Sequence, residues 1–535
     1  MRNVLTGKKF LKSRLSLLCC LLFLTTGATA QVEQTHRYER EQKNSNDFFT
    51  IVSLKEEGVA LYRDQDKYNG NKKKWELIIL DTALQEKHLV ILEIEDRHTL
   101  LGYEYVRGHF YLLYRMGENN KSKLLLIDVD IVAGQEIARS EITTELDFKI
   151  THFSKLGKHI VLGGYVASDP AVLLYNVEEN NIKVLPGFFQ KDTELIDVRV
   201  NSNLTFNALL IDRSVRADRK LLFRTFDEDG NLLLESSSSV DENINLQTSI
   251  SSTLEREDLL VVGTWGSRTG KQSSGFFSWS VDPFKEQSIQ YTYFGELSKF
   301  VDYLNPKRAK KVKEKTKYIL KEGRKPDFTT YAIPFKIIEH KKGFLLLAEV
   351  YDPQSSTPYY SNPYYNNPNF YSSMSSPYWP GYYPGMRMYR SPYMYGDNVK
   401  NSDQIRTLET AVLSFDPKGK LLWDESMKLD DIKSAALEQE GDFYFDDEWV
   451  TMIYKKESEL KIKQVEIGSG SVEERTEKIK LDDDMDEVRS EREEEGGLSS
   501  WIGNSFYVYG YQTIRNPLHD NKSRDVFYIN KIVVH

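Results

Sequence analysis

Short apolar runs return along this chain at a nearly fixed interval, and no other feature restricts the fold as strongly. They are Val59–Tyr62, Phe110–Tyr114, Ile160–Leu162, Phe206–Ile211, Leu259–Val262, Phe344–Ala348, Trp449–Tyr454 and Phe506–Tyr509. The first five begin 51, 50, 46 and 53 residues apart and the last two 57 apart. The two wider gaps shrink to about 50–55 residues once two compositionally odd segments are set aside. Across a polar hairpin each run is followed by a second: Leu77–Leu80, Leu124–Ile127, Val172–Tyr175, Leu221–Phe223, Phe276–Trp279, Ala411–Phe415, Leu460–Val465 and Val526–Ile529. Runs this short, rich in Val, Ile, Tyr and Phe and continuous rather than alternating, predict strands covered on both faces. A unit of this size cannot bury its apolar surface alone, so neighbouring units must stack. The expected fold is all-β, a β-propeller of seven or eight blades over residues 48–535, behind an N-terminal linker at 31–47. Eight units mean seven blades if the terminal strands complete one shared blade.

Two units carry a sharper signature. Phe226-Asp227-Glu228-Asp229-Gly230-Asn231-Leu232-Leu233 aligns without gaps with Phe415-Asp416-Pro417-Lys418-Gly419-Lys420-Leu421-Leu422, and the second copy continues into Trp423. Asp and Gly suit a tight hairpin, where Gly supplies a positive φ and Asp bonds nearby backbone. The motif resembles the repeat of quinoprotein-like propellers, which implies the propeller fold and not a quinone cofactor. Ser414, Asp416, Gly419 and Trp423 also resemble the Asp-box of sialidase-type propellers, with Gly one residue too far along.

The first 30 residues hold the basic start Arg2, Lys8, Lys9, Lys12 and Arg14, the apolar run Leu15–Leu24, and Ala28-Thr29-Ala30. Ten apolar residues in a helix reach about half of a bilayer core, so residues 1–30 read as a cleaved signal peptide. Both cysteines, Cys19 and Cys20, lie inside it. The mature chain then has no cysteine, and disulfides, zinc thiolates and a catalytic thiol drop out. The whole chain carries 71 basic and 80 acidic residues, net -9. Removing the five basic residues of the signal leaves 66 against 80, an excess of acid that argues against nucleic acid as partner. The expected location is outside the cytoplasm, in a periplasm or at a cell surface. No later apolar stretch is long enough to span a membrane. With export signal, repeats and insertions together, the chain looks like exported propellers of uncharacterised type from Gram-negative bacteria.

Two insertions interrupt the repeat. In 296–325, Leu297, Phe300, Val301 and Leu304 fall at helical spacing, and a second helix is expected from Pro306 to Glu322, closed by Gly323. From Lys299 to Lys325 stand eleven basic and three acidic residues, which suits either a solvated face or a docking patch. Lys307, Arg308, Lys310 and Lys311 are its candidate contacts. The other insertion, 351–398, contains 12 of the 32 tyrosines and 8 of the 16 prolines. Proline at that density excludes regular structure and leaves an aromatic loop suited to protein surfaces or sugar rings. Its candidate contacts are Tyr359, Tyr360, Tyr364, Tyr365, Tyr378, Trp379, Tyr382 and Tyr383. The acidic stretch 473–495 lacks the alternating ligands of a calcium loop and reads as a solvated segment, able to pair with the basic insertion within the molecule or across a dimer.

Chemistry is thinly marked. The nine histidines form no H-E-x-x-H, there is no G-x-S-x-G elbow, and Gly266–Gln272 has neither the spacing nor the Ser/Thr of a phosphate loop. No catalytic residue, metal site or cofactor is assigned. The preferred reading is a non-catalytic binding or scaffold propeller of the bacterial cell envelope, meeting a protein partner through the aromatic loop and the basic insertion. The alternative is a carbohydrate-active or glycan-binding propeller with carboxylates in its central funnel.

Overall fold

The computed structural model describes residues 32–43 and 48–535, apart from 118–120, 122, 216–217, 255–257, 269–271, 283, 286, 327, 329, 354–386, 389–404, 435–437, 493–494 and 519–521. Eight antiparallel sheets, seven of them built on four strands in chain order, make an eight-bladed β-propeller. In blade 1 the strands are Thr50–Ser53, Val59–Asn69, Lys72–Leu80 and Glu86–Glu95, counted from the axis outward. The paired apolar runs of the sequence are the second and third strands of every blade, which explains why they alone were conspicuous. Those strands are covered on both faces by neighbouring blades, so the runs at their centres are mostly apolar and buried. Tyr62 and Trp75 of blade 1, stacked at 5.1 Å, pack against Phe110 and Tyr114 of blade 2, and such seams between blades are the core.

The segment expected to be a linker contains instead the strand Val32–Glu41, paired antiparallel with Ser523–Val534 as the outermost strand of blade 8. Both chain ends therefore build one blade and close the ring. The inner edge of that blade is split into Glu487–Glu491 and Gly497–Ser500, both paired with Ser505–Arg515. Blade 2 gains a two-residue fifth strand, Arg387–Met388, against Gly102 and Tyr103.

The repeated motif forms the turn between third and fourth strands in blades 4 and 6. Asp227 accepts from the Asn231 amide at 2.7 Å, and Asp416 from the Lys418 and Lys420 amides at 2.9 Å each. Gly230 and Gly419 hold φ of 77° and 81°, which explains glycine at both places.

The stripe Leu297, Phe300, Val301 and Leu304 does not form the expected first helix. A short 3-10 turn, Phe294–Glu296, is followed by irregular turns to Leu304. The apolar spacing was real, because Leu297, Phe300 and Val301 are buried against blades 5 and 6. Helical hydrogen bonding was outcompeted by carboxylates. Asp424 accepts from the Ser298, Lys299 and Phe300 amides at 2.7, 2.6 and 3.0 Å, and Glu409 from the Val301 and Tyr303 amides at 3.1 and 2.7 Å. The second helix, α1, runs Pro306–Lys321.

Candidate functional site: the inner strands and the blade 6 face

In blades 2 to 6 the innermost strands share a bulge that the sequence pattern hid. Register skips one residue between Leu100 and Gly102, Ile150 and His152, Leu195 and Asp197, Leu246 and Thr248, and Pro334 and Lys336. A bulge re-aims the side chains beside it. Here it turns polar groups onto the next blade.

Asp197 of blade 4 accepts from the Ser251 amide of blade 5 at 3.0 Å and from Arg199 at 2.8 Å. Burial lifts the Asp197 carboxyl and pulls Arg199 down to about 10. Glu104 of blade 2 accepts from the Lys155 amide of blade 3. Burial of His152 pushes its imidazole down to about 3, which keeps it neutral. Lys336 of blade 6 donates to Asp442 of blade 7 at 2.7 Å and to Ser500 of blade 8 at 2.9 Å. Asp442 also accepts from the Ser500 and Phe443 amides at 2.7 and 2.8 Å. Burial draws the Lys336 ammonium down against the pull of Asp442. Its donation to Ser500 is that of a cation held by a carboxylate, not of a base. The inner-strand carboxylates thus latch blade to blade. No sequence motif marks them; the available signal is an isolated charge in an apolar run, as at Lys336 in Tyr331–Ile338.

On the face formed by first-to-second strand turns, Glu104, Tyr111 and Asp128 stand in register across blade 2. His109 lies 3.0 Å from Asp128, and Lys155 sits over the Tyr111 ring at 5.6 Å. Burial lifts both carboxyls. Among the described residues no group of three or more ligands could hold a metal ion, and no helix is long and apolar enough to cross a membrane.

The opposite face carries the connections between blades and those between second and third strands. Tyr331 pairs with Tyr351, and Pro353 with Ile405, so α1 and both stems of the Tyr/Pro-rich insertion emerge at one end of blade 6. Asn305 caps α1 by accepting from the Arg308 amide at 2.9 Å, and Pro306 opens it. Ala309 and Thr316 are buried toward the propeller, while Lys313 ties α1 to the Ser298 carbonyl at 2.6 Å and to Asp302 at 3.2 Å. Lys307, Arg308, Lys310 and Lys311 are all exposed. Lys310 reaches Glu314 at 3.9 Å; Lys307, Arg308, Lys311, Lys315 and Lys317 meet no carboxylate among the described residues. Tyr318 stands among them 60% exposed. Tyr359, Tyr360, Tyr364, Tyr365, Tyr378, Trp379, Tyr382 and Tyr383 lie outside the described residues, as do residues 1–30.

Glu409, which takes the Val301 and Tyr303 amides ahead of α1, has a titration of its own. Burial pushes Glu409 from 4.5 up to about 8, against the two amides that favour its charge. A folded-state value above the unfolded one means the native chain holds the proton more tightly. The stability this group gives is full below 4.5 and is lost as pH rises toward about 8. Glu409→Gln should flatten the fall in urea midpoint across that window. An unchanged slope contradicts the assignment.

No family model matches this chain, and no curated protein matches it. Among solved structures, the chain is similar to the dihydro-heme d1 dehydrogenase NirN, at 11% identity and TM-score 0.37 over 97% of this chain and 84% of that one. It is similar to polysaccharide lyase Uly1 at 8% identity and TM-score 0.37, over 94% and 99% of the two chains. Similarity to the β-propeller domain of the Trilobed protease from Pyrococcus furiosus covers 80% and 98%, at 9% identity and TM-score 0.31. At these scores the likenesses carry no argument about activity, and they lend no support to a quinoprotein-like assignment.

Proposed function

We propose that the protein is a non-catalytic binding or scaffold propeller of the bacterial cell envelope, exported by residues 1–30, that holds a protein partner against the blade 6 face. One observation carries the reading. The cations of α1 are arranged against the helix's own interest: Lys307 and Arg308 oppose the positive end of the dipole, and Lys307, Lys311 and Lys315 repel one another at successive i,i+4 positions. No carboxylate among the described residues answers Lys307, Lys311 or Lys315, and an acidic partner would. The aromatic insertion, whose stems leave the same end of blade 6, adds apolar contact to the charge. Against the glycan-active alternative stand the inner-strand carboxylates Glu104, Asp197 and Asp442, each with an oxygen taken by an amide or a cation of a neighbouring blade. What that alternative retains is the row Glu104, Tyr111 and Asp128 beside His109, and oligosaccharide binding lost in Asp128→Asn would favour it.

The test is a crosslinking pull-down from intact cells with three chains: the mature protein, one lacking Pro353 to Gly396, and one carrying K307E, K311E and K315E. The partner seen with the first should be lost from the other two. The charge reversal should leave the melting temperature unchanged or raised, since it relieves repulsion. Equal capture by all three sinks the proposal.

A further inference from the structure

The partner that the molecule itself best describes is a second copy. The connection between blades 7 and 8 exposes Asp482, Asp484 and Met485. Asp483, also exposed, is tied by Asn516 at 2.9 Å, and the buried Asp486 by Arg524 at 2.6 Å, so the loop is a knob anchored at two points. Glu487 pairs with Arg515 at the start of the split inner edge, and Arg515 pairs with Ser523. The knob therefore leaves blade 8 at the end carrying its second-to-third strand connection, the same face of the ring as α1.

Basic helix and acidic knob thus lie on one face, near the 5–6 and 7–8 blade boundaries, two blades apart. They do not neutralise one another within the molecule. The carboxylates that the insertion's cations meet are Glu314, Asp302, Glu322 and Asp241 among the described residues, and none belongs to the knob. Two complementary patches on one face of a disc have a simple closed solution. A two-fold axis lying in that face and bisecting the angle between them sets each patch on its complement in the other copy, so the contact is made twice. Exposed Tyr318 on the helix and Met485 on the knob, 60% and 48% accessible, supply apolar area inside each charged contact.

We infer that the chain forms a face-to-face two-fold dimer in which α1 of each copy docks on the acidic loop between blades 7 and 8 of the other. The inference rests on the contact-face reading above and names its partner. Sedimentation equilibrium of the purified mature chain tests it. At low salt a dimer is expected, and its dissociation constant should rise roughly tenfold or more at high salt. K307E/K311E/K315E should be monomeric, and D482K/D484K likewise, with circular dichroism confirming that both are folded. Combining the two sets makes an acidic helix and a basic knob, and the dimer should return. A wild-type chain monomeric at every concentration overturns the inference, as does a dimer indifferent to salt and to both reversals, or a combined variant that stays monomeric. If the wild type is monomeric while helix reversal still abolishes capture in cells, the partner is another protein and only the dimer fails. Sedimentation of a monomer with anionic vesicles through the same lysines also overturns it.

Discussion

Replacing Lys336 with Met is expected to cost about 3–5 kcal/mol of stability, the range for removing one partner of a buried ion pair. Lys336 and Asp442 are 2% and 0% exposed, and the pair joins the inner strands of blades 6 and 7 while Ser500 brings in blade 8. The loss is chiefly the isolation of Asp442, which keeps only the Ser500 and Phe443 amides. That cause has a signature in pH. Acid removes the charge of an unpaired buried carboxylate, so the deficit should narrow as pH falls. A double variant, Lys336→Met with Asp442→Leu, should recover part of the loss, because two apolar groups leave no charge unpaired. Urea midpoints across pH measure all three. A pH-independent deficit would mean that lost packing, and not the stranded carboxylate, dominates.

Deleting residues 32–41 should be more damaging still. The strand pairs with Val526–Val534 along most of its length. Arg37 donates to Gln512 and Asn530 at 3.0 Å each, and Arg40 reaches Glu76 of blade 1 at 2.5 Å. Glu76 is 1% exposed and shared with Arg63 at 2.6 Å, so the deletion strips one of two cations from a buried carboxylate. It also bares the long edge Ser523–Val534, an invitation to aggregate. The expected result is loss of a single cooperative melt, with proteolysis beginning in blade 8. A peptide of residues 32–41 added in trans should restore protection. A truncated chain that melts like the parent would show that the ring does not depend on this closure.

How much of this was visible beforehand depends on which strand is considered. The second and third strands of each blade are sandwiched between neighbours, so Phe206–Ile211 or Phe344–Ala348 announced themselves, and with them the eight units. The outer strands, such as Leu232–Ser239, are half solvated and lack a pattern. The inner strands carry bulges, which shift alternation by one residue at Asp197 or Lys336 and erase the period-two signal. Val32–Glu41 passed as a linker because an outermost strand exposes its charged face and its pairing partner lies at the far end of the chain. The stripe at Leu297–Leu304 was correctly apolar and wrongly helical, since spacing alone cannot report that Asp424 and Glu409 would take its amides. For the contact face, Lys307, Arg308, Lys310 and Lys311 could be chosen from composition and the helical period. That α1, the aromatic stems and the acidic knob share one face is a property of topology, legible once the strand order is known.

A photocrosslinking residue placed at Tyr318 in intact cells tests directly whether α1 is a contact surface. Tyr318 is exposed and sits inside the lysine field, so substitution there leaves packing and charge in place. A matched probe at Val184, 42% exposed on the outer strand of blade 3, reports background. One discrete crosslinked protein species is expected from position 318, absent from position 184 and abolished by K307E/K311E/K315E. Equal labelling at both positions, or none at 318, would contradict a contact role for α1.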